Sequence, residues 1–208
     1  MMEKMVIIGY GGHAKSVIDC IQATKKYEIV GYTDVEDKGG NFPYLGTDDQ
    51  LEHIFESGVH SAAFGLGYMG KSTLRDKLYG QVKHIGFELP VVADPTAIIA
   101  SDAVIGEGTF IGKRAVINAD SRVGKMCIVN TGAIIEHENV IGDFSHVAVG
   151  AVLCGNVRIG MHCLAGANST VLQGVSVGDD SIIGAGALVL TDVDSNVTVV
   201  GVPAKGRK

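Results

Sequence analysis

Tryptophan is absent from the 208 residues, aromatic side chains make up 6% of them, and only four prolines and four cysteines occur. A wide globular core normally draws much of its buried area from aromatic rings, so so few of them favour a narrow interior filled by aliphatic residues. Charge is sparse as well, at 19% of residues with a formal net charge of −6. No run of Lys or Arg forms a basic stripe, which excludes the electrostatic footprint of a nucleic-acid binder. No apolar stretch is long enough to cross a bilayer as a helix. The short apolar run Met5–Ile8 ends at once in a glycine loop, so no secretory signal is expected and a cytoplasmic location is.

The cysteines, Cys20, Cys127, Cys154 and Cys163, contain no CxxC pair. They are expected to be reduced packing residues. No metal site is expected either: among His137, His146 and His162 the gaps are 9 and 16 residues, which stack no two of them.

What the chain has in quantity is glycine, 29 residues of it, and a period of six. From Ile99 to Asp194 the first hexad positions run Ile99, Ile105, Ile111, Ile117, Val123, Val129, Ile135, Ile141, Val147, Leu153, Ile159, Ala165, Val171, Val177, Ile183 and Val189. Glycine recurs at the second position, and the fifth is almost always small. A period of six fits neither an amphipathic helix nor a hairpin; it fits a parallel β-helix of about five coils with glycine at its corners. Three hexads close one triangular coil, so residues 18 apart stack. Cys127 and Cys163 then lie two coils apart, about 10 Å at the usual strand spacing, too far for a disulfide.

The first part of the chain alternates strand and helix. Met5–Ile8 leads into Gly9-Tyr-Gly-Gly-His13-Ala-Lys15; a helix is expected from about Ala14 to Thr24, and a second strand, Ile29–Thr33, ends at Asp34. Thr47 is a plausible N-cap for a helix through about Phe55. His60–Leu66 reads as a third strand, and Lys71–Tyr79 as a third helix with Leu74 and Leu78 inward. The expected division is a small Rossmann-like α/β domain over residues 1–92 and an all-β solenoid over 93–208. Gly9, Gly11 and Ala14 match the GxGxxG/A spacing, whose backbone N–H groups and helix N-terminus suit a phosphate. A tight turn without a ligand has the same spacing.

Within the hexads, His137 occupies the third position, flanked by Glu136 and Glu138, either of which could orient its ring. One coil later stands Gly155, leaving an open shelf and an accessible N–H. A general base beside such a donor is what acyl transfer needs. His146 lies half a coil from His137, within reach only from a neighbouring subunit, and His162 reads as a surface residue.

Asn130-Thr-Gly-Ala-Ile-Ile-Glu-His137-Glu138, Ile141-Gly-Asp-Phe-Ser-His146 and Gly201-Val-Pro-Ala-Lys205 resemble the left-handed β-helix acyltransferases, in their two-domain sugar-nucleotide branch. That branch includes the bacillosamine-pathway UDP-4-amino-sugar N-acetyltransferase, perosamine N-acetyltransferases and sialic acid O-acetyltransferases. The resemblance implies a left-handed coil and transfer of acetyl from acetyl-CoA to the amine of a nucleotide-linked 4-amino-4,6-dideoxy sugar, with His137 as base, Glu138 as its partner and Gly155 as oxyanion donor. O-acetylation of sialic acid or a related glycan precursor is the alternative, and a non-catalytic nucleotide-sugar scaffold a third.

The resemblance further implies that His146, Gly155, Ala167, Ala185, Gly201, Pro203 and Lys205 meet coenzyme A. It assigns Asn130 to the sugar and Gly11, Gly12, His13 and Asp34 to the nucleotide-sugar pocket. It implies a homotrimer with sites at subunit interfaces. The basic tail Lys205, Arg207 and Lys208 could meet CoA phosphates, with a solvated tail as the alternative. Val35 after Asp34, and Asp94-Pro95 where the coil begins, depart from the branch's usual pattern.

Overall fold

A computed structural model of the chain describes residues 2–70 and 73–207. Contacts divide it into two compact units, one of residues 1–67 and 73–95, the other of residues 68–72 and 96–208. The break follows Pro95. Its cause is local: the strand Val92–Ala93 packs on the first helix, and Asp94 Oδ2 accepts the Cys20 thiol at 3.3 Å.

The first unit carries strands β1 (Glu3–Ile8), β2 (Tyr27–Thr33) and β3 (Ser61–Phe64) and helices α1 (Gly12–Thr24), α2 (Leu51–Glu56) and α3 (Leu74–Ile85). The sheet order is β2-β1-β3, all parallel. Met5, Val6, Ile7 and Ile8 are fully buried, as a central parallel strand covered on both faces requires. The inward face of α1 is Ala14, Val17, Ile18 and Ile21, at helical spacing.

Two expectations for this unit need correcting. Thr47 precedes a 3-10 turn, Asp48–Gln50, and its hydroxyl bonds the Asp49 carboxylate rather than a helix N–H. Leu74 is half exposed, because α3 begins there and turns Arg75, Leu78 and Val82 inward. Lys71, where that helix was expected to start, lies outside the described residues.

The second unit is a parallel β-solenoid of two-residue strands on three faces. One face stacks the strands beginning at Phe110, Ile128, His146, Leu164 and Ile182. The second stacks those beginning at Ile98, Val116, Ile134, Val152, Thr170 and Leu188, and the third those beginning at Val104, Arg122, Val140, Arg158 and Ser176. The register is 18 throughout these ladders, as in Ile134↔Val152 and Ile135↔Leu153. Five steps of 18 separate six rungs on the second face, so the solenoid has about six coils. Most first hexad positions point into the lumen: Ile111, Ile135, Leu153 and Val171 are all fully buried. Each such side chain contributes roughly 1.5–3 kcal/mol of gross burial energy.

The corners work differently from the glycine rule the sequence suggests. From Gly108 to Gly186 every fourth hexad position has φ between +53° and +73°, whether it is glycine or Arg114, Met126, Glu138 or Phe144. The second-position glycines serve clearance instead. A Cβ on Gly142 would lie 2.5 Å from the Gly160 carbonyl carbon of the next coil.

The fifth position carries a hydrogen-bond ladder. Ser145 Oγ donates to Gly160 O at 2.8 Å and accepts the Cys163 N–H at 2.9 Å. Cys127 and Cys163 are free and buried, and their thiols donate to Gly142 O and Gly178 O. Burial pushes the Cys163 thiol up to about 11.

The repeat breaks before Asp194. Val177 bridges Val193 and Ile182 pairs with Thr198, each 16 residues on. Asp192 Oδ1 takes the Ser176 N–H at 2.8 Å, which satisfies that donor in the shortened coil. Lys205–Gly206 returns antiparallel on Thr198–Val200 and closes that end of the ladder.

Candidate active site

His137 sits at the corner that follows the strand Ile134–Ile135. Two carboxylates fix it, in separate ways. Glu136 Oε2 accepts the Asn118 amide at 3.0 Å and the His137 backbone N–H at 3.3 Å, anchoring the corner to the coil below. Glu138 has φ of +60°, and its Oε2 lies 3.0 Å from His137 Nδ1. A carboxylate only accepts, so the proton belongs on Nδ1 and the Nε2 lone pair is left for chemistry. The orienting residue is therefore Glu138.

Gly155 stands against that ring. A Cβ there would lie 2.6 Å from His137 Nε2 and 2.5 Å from its Cε1. Here glycine is required for room, since its φ is not in the left-handed region. The coils are tied backbone to backbone, Asn156 N to His137 O at 2.8 Å and Gly174 N to Gly155 O at 3.0 Å. The Gly155 N–H itself donates to no group among the described residues. Cys154, Asn156, Gln173 and Gly174 complete an open cavity of about 480 Å³ around the pair. With the imidazole side chain 58% exposed, His137 and Gly155 line the same open cavity.

Other coil residues gather elsewhere. His146 is buried at 7% exposure; its Nδ1 is 2.6 Å from Tyr68 O and its Nε2 3.2 Å from Asn130 Nδ2. The carbonyl accepts, so Nδ1 carries the proton and Nε2 receives the Asn130 amide. Asn130, Ala167 and Ala185 share the corner that follows this face, a different corner from that of His137 and Gly155. In one chain, then, the residues expected at the catalytic centre and most of those expected along coenzyme A occupy separate corners.

Gly201, Pro203 and Lys205 belong to the closing hairpin. Gly201 O accepts the Leu188 N–H at 3.1 Å, and Ala204 N donates to Leu188 O at 2.7 Å. Pro203 lines a cavity of about 450 Å³ that also includes Asp192 and Asp194. Lys208 lies outside the described residues. His162, expected at the surface, is half-buried: its ring stacks on Phe144 at 5.4 Å, and its carbonyl accepts the Tyr68 hydroxyl at 2.6 Å. That contact spans 94 residues, a distance at which local sequence gives no signal.

In the first unit Gly9 has φ of +81° and turns the chain from β1 into the loop before α1. Gly11 and Gly12 line a cavity of about 880 Å³ together with Tyr10, Lys15 and Lys38. Asp34 shapes the loop instead of lining the cavity. Its Oδ2 accepts the Tyr10 N–H at 2.7 Å, its Oδ1 accepts the Val35 N–H at 2.8 Å, and Lys38 Nζ lies 3.7 Å away. His13 does not line the cavity either. Lys15, Lys38 and Tyr10, whose ring stacks on Tyr32 at 3.9 Å, are the residues the motif reading passed over. Lys15 was legible, three residues after Gly12 on the first turn of a helix; Lys38 required the fold.

Residues 4–82 match the family model described as the PglD N-terminal domain, and residues 103–137 and 156–191 match that of the hexapeptide repeat of succinyl-transferase. PerB from Caulobacter crescentus, solved in complex with CoA and GDP-perosamine, is 33% identical over 100% of this chain and 99% of its own, with a TM-score of 0.94. The acetyltransferase domain of PglB from Neisseria gonorrhoeae FA1090 is 33% identical over 99% of this chain and 100% of its own, with a TM-score of 0.92. The same domain in complex with acetyl coenzyme A aligns with a TM-score of 0.92 at 32% identity over 100% of both chains.

Proposed function

The chain belongs to the two-domain hexapeptide-repeat sugar N-acetyltransferases, and from that premise we propose that it moves the acetyl group of acetyl-CoA onto the amine of a nucleotide-linked 4-amino-4,6-dideoxy sugar. The observation that carries the reading is the His137–Glu138 pair beneath Gly155, with Nδ1 held at 3.0 Å and Nε2 facing the cavity. The relatives support its two substrates: one was solved with GDP-perosamine and CoA, the other with acetyl coenzyme A.

Transfer is direct. The sugar amine attacks the thioester carbonyl carbon while His137 Nε2 accepts the proton the amine loses. The Gly155 N–H donates to the oxygen as it becomes an oxyanion. The C–S bond then breaks, and the imidazolium returns its proton to the departing thiolate to give CoA-SH. Glu138 keeps the ring in the tautomer that starts the cycle. The nucleotide diphosphate sits on the Gly11–Gly12 loop with Lys15 and Lys38 as cationic contacts.

The separation of the two coil corners supports sites completed between chains of a homotrimer. In that assembly Asn130, His146, Ala167, Ala185 and the Gly201–Lys205 hairpin come from the neighbour of the chain that supplies His137.

Thiol release from acetyl-CoA, measured against UDP-, GDP- and dTDP-linked 4-amino sugars and sialic acid, tests the reading. Release with an amino-sugar nucleotide and none with sialic acid is expected, and His137→Ala should lower turnover at least ~10²-fold, the range of general-base catalysis. Full turnover in that variant would overturn the assignment.

A further inference from the structure

Asn139 breaks the rule of its own column. The fifth hexad position otherwise holds Ala, Val, Ser, Thr or Cys, and from Thr109 to Cys163 its hydroxyls and thiols donate to the carbonyl 15 residues on, as Ser121 Oγ does to Glu136 O at 2.8 Å and Ser145 Oγ to Gly160 O at 2.8 Å. Ser181 Oγ reaches Asp194 O, 13 residues on, and Ser169 Oγ has no partner among the described residues. The same hydroxyls accept the N–H 18 residues on: Cys163 N–H at 2.9 Å from Ser145 Oγ, and Asn139 N–H at 3.3 Å from Ser121 Oγ.

Asn139 is fully buried. Its Nδ2 donates to Cys154 O at 3.0 Å, which continues the ladder, and also reaches Glu136 O at 2.5 Å and His137 O at 3.4 Å. Elsewhere in the ladder an unsubstituted fifth-position N–H can turn back to the carbonyl three residues earlier, as Ala151 does to Ala148 at 3.1 Å. For Val157 that carbonyl is Cys154 O, which accepts the Asn139 amide, and the Val157 N–H does not bond it. The Val157 N–H and Asn139 Oδ1 are both left without a partner among the described residues. Serine at 139 would leave neither unpaired, since its oxygen could accept the Val157 N–H while donating to Cys154 O.

At Asn139 the coil therefore gives up local hydrogen bonding, in the turn that carries His137 and one coil from Gly155. A sequence that departs from its own local rule in this way marks a functional constraint. What the amide gains is reach. One NH₂ group ties the corner that carries His137 and Glu138, through Glu136 O and His137 O, to the corner that carries Gly155, through Cys154 O.

We propose that Asn139 is a positioning residue, whose buried amide fixes the spacing between the His137 ring and the Gly155 N–H across two coils. The inference rests on the base and donor roles given to that pair above. Asn139 touches neither substrate; it holds the frame in which proton acceptor and oxyanion donor meet one reacting group.

Asn139→Ser is the test, because serine occupies the equivalent place one coil below, at Ser121, and should fold. Thermal unfolding of the variant should match or exceed that of the parent, since the unpaired acceptor and donor are both relieved. Its KM for acetyl-CoA and for the amino-sugar nucleotide should change less than twofold, while kcat falls about tenfold or more. Asn139→Gln, which keeps the amide on a longer arm, should not restore kcat. A parental kcat in Asn139→Ser, or a kcat loss matched by a fall in melting temperature, overturns the proposal. His137→Ala measured alongside separates the two levels. If it too retains full turnover, the reading of the site has failed; if it is inactive while Asn139→Ser is not, only the positioning role has.

Discussion

The α-carbon of Gly155 stands so close to the His137 ring that a β-carbon on it would lie 2.6 Å from Nε2. The two residues belong to successive coils, joined by the 2.8 Å bond from Asn156 N to His137 O, so their backbones cannot part without disturbing the ladder.

Gly155→Ala is the sharpest probe of that contact. Gly155 does not use the left-handed region, so alanine fits the backbone and the melting temperature should change little. The ring, 58% exposed, would swing outward to make room. A displacement of about 1 Å at a reacting group can cost ~10²-fold in rate. We expect kcat to fall between roughly 10- and 100-fold in the thiol-release assay, and an unchanged kcat would show that the ring position is not critical.

The nucleotide end can be tested apart from the chemistry. Lys15 lines the cavity at the glycine loop, and a charge-assisted contact to phosphate is worth about 1.5–3 kcal/mol. Lys15→Ala should raise KM for the nucleotide sugar about tenfold or more and leave KM for acetyl-CoA unchanged. The defect should narrow at high salt, where the parent's own contact is screened. Equal effects on both substrates would remove the residue from the phosphate site.

Alkaline stability has a named contributor. Burial raises the Cys163 thiol from 9.0 to about 11. In the unfolded chain the thiol ionises near 9, whereas the folded chain keeps it neutral until about 11. The contribution is therefore complete below pH 9 and is lost as pH rises through 11. Burial also raises Tyr27 and Tyr32, so part of the alkaline decline should remain in any cysteine variant. Cys163→Ser, which places there the residue found one coil below at Ser145, should flatten the fall in melting temperature between pH 9 and 11. Parallel curves for parent and variant would exclude the thiol.

Much of this was legible in one dimension. A six-residue period of aliphatic residues converts sequence distance into height, so Gly155 could be set over His137 by counting 18. Hexads repeat because each coil must bury the same three aliphatic positions in a narrow lumen, and that demand is written residue by residue. The strand-loop-helix from Met5 to Thr24 is equally local, and so is the phosphate-type loop within it.

Other features depend on contacts the count does not reach. Which of Glu136 and Glu138 holds the ring was decided by the Asn118 amide one coil below, which claims Glu136. The Asp34 carboxylate is engaged by the Tyr10 N–H, 24 residues earlier, and the His162 ring stacks on Phe144 while its carbonyl accepts the Tyr68 hydroxyl, 94 residues earlier. The role of Asn139 was hidden because at the fifth position asparagine reads as one more small polar residue. By itself the sequence determined the period, the fold class and the stacked pair, because these follow from local hydrophobic repetition. The tertiary structure alone decided which hydrogen bonds win where several acceptors compete for one donor, because that competition is settled only when distant segments share one space.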